Sequence, residues 1–157
     1  MYKCGVKSRV TVAVPPSKPL MVYDGDCNFC ALWIRRWQCA TGEKVDYIPF
    51  QDPSVASRFP EIPAADFANS VQLILTNGWV YSGAEAVFRS LACAAHAGWL
   101  LDGYQHSATF ARISEVTYRF VAEHRPIFSW VTRLLWGRNV QPAVLLVCHV
   151  RFRLYLV

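Results

Sequence analysis

Over its first half the chain alternates short apolar runs with turn residues, and over its second half it carries helical periodicity. Residues 1–19 include Pro15, Pro16 and Pro19 and predict an irregular basic lead, because proline punctuates regular structure. Leu20 to Tyr23 is apolar and Gly25 follows at once, which predicts a short buried strand rather than a helix. From Phe29 onward, apolar residues recur at 29, 32, 33 and 37, the spacing of one helix face, with Arg35 and Arg36 toward water. Asp26 stands where that helix should begin and is expected to cap its orphan amides. Thr41-Gly42 ends the helix, and Val45 to Pro49 predicts a second strand.

Pro53, Pro60 and Pro63 mark a loop-rich region with one short helix. Val71 to Thr76, then Asn77-Gly78, then Trp79 to Tyr81 predicts a hairpin closed by a two-residue turn with positive φ at both positions. Ser82-Gly83-Ala84-Glu85 has the form of a capping box, so a helix is expected from there to Ala97, with Gly98 as its stop. Residues 107–124 carry a further helical pattern that Pro126 breaks, and Ile127 to Trp136 predicts a last helix. The order β-α-β, hairpin, helix is that of an α/β thioredoxin-like fold: a small mixed sheet with flanking helices and extra C-terminal helices. The expected organisation is a lead over 1–19, one domain over 20–136 and a tail over 137–157.

Composition narrows the class. A chain of 157 residues, 54% hydrophobic and 17% charged, is long enough for one cored domain and too apolar for a disordered tail protein. Its net charge of +5 comes from scattered Lys and Arg, which argues against nucleic-acid binding, since a phosphate-tracking protein gathers its cations on one face. Six cysteines would suit a secreted disulfide framework, but Cys4, Cys39, Cys93 and Cys148 are isolated. Cys4, Cys39 and Cys148 are expected to be free thiols, and Cys93 a core residue. No sustained apolar run precedes a small-residue cleavage site, so a reducing, cytoplasmic setting is expected. No stretch has the ~18 apolar residues of a spanning helix.

The chemistry concentrates in Asp24-Gly25-Asp26-Cys27-Asn28-Phe29-Cys30. A Cys-x-x-Cys at the start of a helix that follows a strand is the arrangement of a thioredoxin-like redox centre. Cys27 is expected at the exposed helix N-terminus, where free amides and the helix dipole stabilise a thiolate. Cys30 is expected one turn inside, shielded and placed to resolve a mixed disulfide. Asp26 is expected to be a cap. Asp24 has two open roles: a turn residue, or a base that takes the Cys30 proton. No cofactor and no metal is called for.

This set of residues resembles the DCC family of thiol-disulfide oxidoreductases, named for its Asp-x-x-Cys-x-x-Cys motif. The likeness extends to Tyr81-Ser82-Gly83-Ala84-Glu85-Ala86, similar to the family's Gly-x-x-Ala segment after its hairpin. It continues in Tyr118-Arg119-Phe120-Val121-Ala122-Glu123-His124-Arg125, similar to its late Tyr-x-x-x-Ala-x-x-Arg helix. The resemblance implies a thioredoxin-like fold and dithiol-disulfide exchange through Cys27 and Cys30, with Asp24 in support. The implied partner is a thiol or disulfide protein or a small thiol. One departure is Val71, at the position where thioredoxins place a cis-proline that docks substrate backbone and keeps metal off the cysteines. Leu134 to Pro142 also resembles the junction at which DCC-like domains precede a membrane segment related to lipase maturation factors. A terminal strand or packed tail is the preferred expectation there, with peripheral membrane contact through the C-terminus as the alternative.

Three rival functions draw on the same residues. Asp24-Gly25-Asp26 mimics the Asp-x-Asp of a haloacid-dehalogenase-like phosphatase, and Leu73 to Asn77 its phosphate-binding motif. Such an enzyme needs a downstream Lys and a late acidic pair for Mg²⁺, yet no Lys follows Lys44 and Asp102, Glu115 and Glu123 stand singly. A zinc site would join Cys27 and Cys30 to Cys93 and His96, at the paired short spacings that zinc favours. A non-catalytic interaction module on the same fold is the third. His106, His124 and His149 are expected at the surface or at helix ends. Trp33, Trp37, Trp130 and Trp136 are expected to pack in the core.

Overall fold

The computed structural model describes residues 10–94 and 98–136. Its centre is β1 (Leu20–Tyr23), which pairs in parallel with β2 (Asp46–Pro49) and antiparallel with β3 (Gln72–Ile74). β4 (Val80–Ser82) closes a four-stranded mixed sheet in the order β2-β1-β3-β4. The β1-to-β2 crossover is helix α1 (Asn28–Thr41) with a 3₁₀ turn at Gly42–Lys44. Parallel strands need such a crossover, whereas the antiparallel β3-β4 pair needs only a tight turn. The topology is that of a thioredoxin-like fold.

Successive side chains of β1 point to opposite faces, and both faces are covered. Leu20 and Val22 pack with Val55, Phe59, Phe67 and Ile74, under the short helices α2 (Pro53–Arg58) and α3 (Ala64–Asn69). Met21 packs on the other face with Ile34, Leu73, Tyr81, Ala86 and Val87, under α1 and α4 (Gly83–Cys93). A strand buried on both sides reads as an unbroken apolar run, and this one does. Val12 joins the first cluster, and Thr11 bridges to Trp79, so residues 11 and 12 of the expected lead belong to the packed structure.

Three more helices complete the described chain: α5 (Gly98–His106), α6 (Ala108–Glu123) and α7 (Arg125–Trp136). No described helix is long and apolar enough to cross a membrane. Tail residues 137–157, with Cys148 and His149, lie outside the described residues, as do Cys4 and His96.

Several local expectations are corrected. The one short helix expected between Pro53 and Pro63 is α2, and a second, α3, which the prolines did not flag, starts directly after Pro63. The hairpin turn has three residues: Leu75 N–H donates to Trp79 O, and Gly78 N–H donates back to Leu75 O, both at 2.9 Å. Gly78 takes the left-handed conformation (φ 85), and a Cβ there would lie 2.9 Å from Val12 O. Gly98 opens α5 rather than ending α4, which stops at Cys93. The capping box does not form, because the Ser82 side chain caps nothing. The carboxylate of Glu115, on α6, instead accepts from Glu85 N–H at 3.2 Å and from the Tyr104 hydroxyl at 2.9 Å. Trp130 is 62% exposed and not core. Cys39 is disulfide-bonded, not a free thiol; isolation along a sequence does not prevent pairing through the fold.

Candidate active site

β1 delivers the chain to a turn that side chains hold shut. Asp24 Oδ1 accepts from Asp26 N–H at 3.1 Å, an Asx-type turn. Gln51, just beyond β2, clamps it from outside: its Oε1 accepts from Gly25 N–H at 3.0 Å, and its Nε2 donates to Asp24 Oδ1 at 2.9 Å and Asp26 Oδ2 at 3.2 Å. Gly25 is required by close approach, since a Cβ would meet Pro49 Cβ at 2.8 Å. Asp26 is thus spent on Gln51 and does not cap α1. The cap is Cys27 itself, whose sulfur accepts from Cys30 N–H at 3.2 Å.

A sulfur in the N-cap position sits where unpaired amides favour negative charge. The Cys27 thiol is accordingly pulled down to about 6, first by a hydrogen bond from the Cys30 thiol and further by Ser129 and the Cys30 amide. Burial and the Asp24 carboxylate act the other way. Cys30 moves up, because it donates to the Cys27 sulfur and is desolvated. The pair is therefore polarised, one thiolate and one thiol, at i, i+3 spacing.

The expected exposure of the two cysteines is reversed. Cys27 is 9% exposed and buried, whereas Cys30 is half-buried. The cause is α7, which lies over the first turn of α1. Ser129 Oγ is 3.6 Å from Cys27 Sγ and accepts from Phe29 N–H at 3.4 Å. Phe128 stacks on Phe29 with ring centroids 5.3 Å apart.

Arg125 and Tyr118 fasten the same region to the sheet. Arg125 donates to Ala68 O at 2.8 Å and Asn69 O at 2.6 Å, and its guanidinium lies 3.8 Å from Asp24 Oδ2. The Tyr118 hydroxyl accepts from Val71 N–H at 3.0 Å, and burial pushes its pKa up. The late helical segment thus bonds both to the Asp24 turn and to the backbone just ahead of β3.

Matching the sequence against protein families decides the affiliation: residues 21–131 fit the DCC1-like thiol-disulfide oxidoreductase family. The chain belongs to that family. Searches of curated proteins and of solved structures returned no match. In this DCC1-like chain Asp24 to Cys30 forms the candidate site, Arg125 ties its turn to the backbone of Ala68 and Asn69, Tyr118 holds Val71, and Gly83 lies under Glu115. Gly83 has φ 67, and a Cβ there would stand 2.8 Å from Glu115 Oε2.

Asp24 has three partners, and none of its hydrogen bonds among the described residues goes to Cys30. Cys93 is half-buried with its pKa pushed up by burial, and its proposed zinc partner His96 lies outside the described residues. No group of three or more His, Cys, Asp or Glu among the described residues is placed to hold a metal. His106 and His124 each bond through Nδ1 to a backbone oxygen four residues earlier at helix ends.

Two features escaped the sequence. Ser129 carries no local signal, because its partner is 102 positions away. A cavity of about 500 Å³ lies between α1, α3, α4 and α6, walled by Trp33, Trp37, Phe67, Phe88, Phe110 and Val121. Cys30 lines it, beside Asp24 and Arg125, and Cys27 does not.

Proposed function

We propose that the chain exchanges a dithiol for a disulfide through Cys27 and Cys30, with Cys27 as the attacking thiolate and Cys30 as the resolving thiol. The observation that carries this is the polarised pair: Cys27 caps α1 and takes hydrogen bonds from the Cys30 amide and thiol. A thiolate attacks a substrate disulfide and forms a mixed disulfide on Cys27. Cys30, one helical turn away, then displaces the substrate and closes the Cys27–Cys30 bond. Asp24 is a positioning residue on this account, since its oxygens hold the turn, Gln51 and Arg125.

Trapping tests the assignment. Cys30→Ser should accumulate a mixed disulfide with an added disulfide substrate, and Cys27→Ser should accumulate none. The reverse pattern overturns the roles. A wild-type chain that forms no Cys27–Cys30 disulfide in any glutathione buffer overturns the activity itself.

A further inference from the structure

We infer that the apolar cavity beside Cys30 receives a small apolar thiol that acts as electron donor to the oxidised chain, attacking Cys30 and expelling Cys27. The inference rests on Cys27 and Cys30 being the redox pair and adds the class of reductant and its point of entry. Two routes to the disulfide differ in the structure. Cys27 is buried, with Ser129 of α7 against its sulfur, while Phe128 stacks on the neighbouring Phe29. Cys30 forms part of the wall of a cavity of about 500 Å³, a size that suits a small molecule.

The wall selects the ligand. Aromatic rings from α1, α4 and α6 (Trp33, Trp37, Phe88, Phe110) dominate it and favour an apolar group, preferably one that stacks. Peptide docking is disfavoured at the same place. Val71, where thioredoxins keep their substrate-docking proline, has its N–H taken by the Tyr118 hydroxyl, and Arg125 occupies the carbonyls of Ala68 and Asn69.

The chemistry balances with the thiol alone. Its thiolate sulfur attacks Cys30 Sγ, the Cys27–Cys30 bond breaks, and the electron pair leaves on Cys27 Sγ. A second thiolate then attacks the donor sulfur of the Cys30 mixed disulfide. A new disulfide forms, and the pair released on Cys30 takes up a proton. Two thiols are oxidised to one disulfide, the protein disulfide is reduced to a thiolate and a thiol, and one proton goes to solvent. The better-stabilised thiolate is the faster leaving group, and Cys27 has the N-cap amides and Ser129 to stabilise it.

The test is stopped-flow reduction of the oxidised wild-type chain by benzyl mercaptan and by 2-mercaptoethanesulfonate. Each rate is divided by that thiol's rate on an oxidised linear peptide of residues 24–30. Acid quench and mass spectrometry then locate the thiol adduct. The expected result is a preference for benzyl mercaptan of about tenfold or more, the scale set by burying one aromatic side chain, with the adduct on Cys30. Equal normalised rates, or an adduct on Cys27, overturn the inference and leave the redox pair standing. A Cys27–Cys30 disulfide that neither thiol reduces overturns the inference alone, and a chain that forms no such disulfide under oxidation overturns both.

Discussion

The Ser129 hydroxyl stands 3.6 Å from the Cys27 sulfur and also receives the Phe29 amide. Because that oxygen accepts from Phe29, its own proton is free to point at the sulfur, so α7 solvates the thiolate that it shields. Ser129→Ala should therefore raise the Cys27 pKa by roughly one unit, the equivalent of about 1.4 kcal/mol, while Ser129→Thr should hold it. Rates of iodoacetamide alkylation against pH measure this. An unchanged pKa in the alanine variant would remove Ser129 from the site.

The Cys27 pKa also ties stability to pH. In the folded reduced chain Cys27 falls from an ordinary 9.0 to about 6, chiefly through the hydrogen bond from Cys30. Between those values the unfolded chain holds the extra proton, so stability rises with pH. The contribution is fully present above pH 9 and is lost as pH falls through 6. Cys30 shifts upward, and its contribution is lost as pH rises above 9. Urea midpoints of the reduced wild type should thus climb from pH 6 to 9 relative to Cys27→Ser. A flat difference between the two would contradict a native thiolate at Cys27.

Local signals made the sheet legible in the sequence, and distant ones hid the covering layer. Leu20 to Tyr23 is apolar throughout because both its faces are buried, and Pro126 marks a real break between α6 and α7. The hairpin was legible from Asn77-Gly78, but its turn length was not. Leu75 rather than Thr76 pairs with Trp79, and Gly78 meets Val12, a residue far off in sequence. The Cys-x-x-Cys was legible as chemistry. That Cys27 is covered, and that Cys30 opens on a cavity, depends on α6 and α7 folding back, which no spacing within the motif encodes.

Glu115 provides a second case of long-range capping. Its carboxylate accepts from the α4 amide of Glu85 and from the Tyr104 hydroxyl of α5, so one residue ties α4, α5 and α6 together. Glu115→Ala should destabilise the chain by about 2 kcal/mol, the combined scale of a lost cap and a lost hydrogen bond to a charged group. Chemical denaturation gives the number. Ser82→Ala should cost far less, since that side chain caps nothing; a larger loss at Ser82 than at Glu115 would restore the capping box.

Asp24 separates a positioning group from a base. Its carboxylate raises the Cys27 pKa, so Asp24→Asn should lower that pKa further while the amide oxygen still accepts from Gln51. Resolution by Cys30 should then proceed within a few-fold of wild type, whereas removal of a general base costs about 10²-fold or more. The rate at which a Cys27 mixed disulfide is released, followed by quenched mass spectrometry, distinguishes the two. A hundredfold slower release with a lowered Cys27 pKa would make Asp24 the base.

Tyr118 links α6 to the backbone just ahead of β3. Its hydroxyl satisfies Val71 N–H, and Tyr118→Phe would leave that half-shielded amide without its partner at a cost of about 1–3 kcal/mol. The phenyl ring keeps the cavity wall, so apolar ligands should still bind. What changes is the backbone just ahead of β3, where a freed Val71 amide is a donor for an extended peptide backbone. Tyr118→Phe should therefore lose stability in urea and gain reactivity toward peptide disulfides relative to benzyl disulfides. A loss of stability with no gain toward peptides would mean that α6 excludes peptides by bulk, and that the hydroxyl serves only to hold the fold.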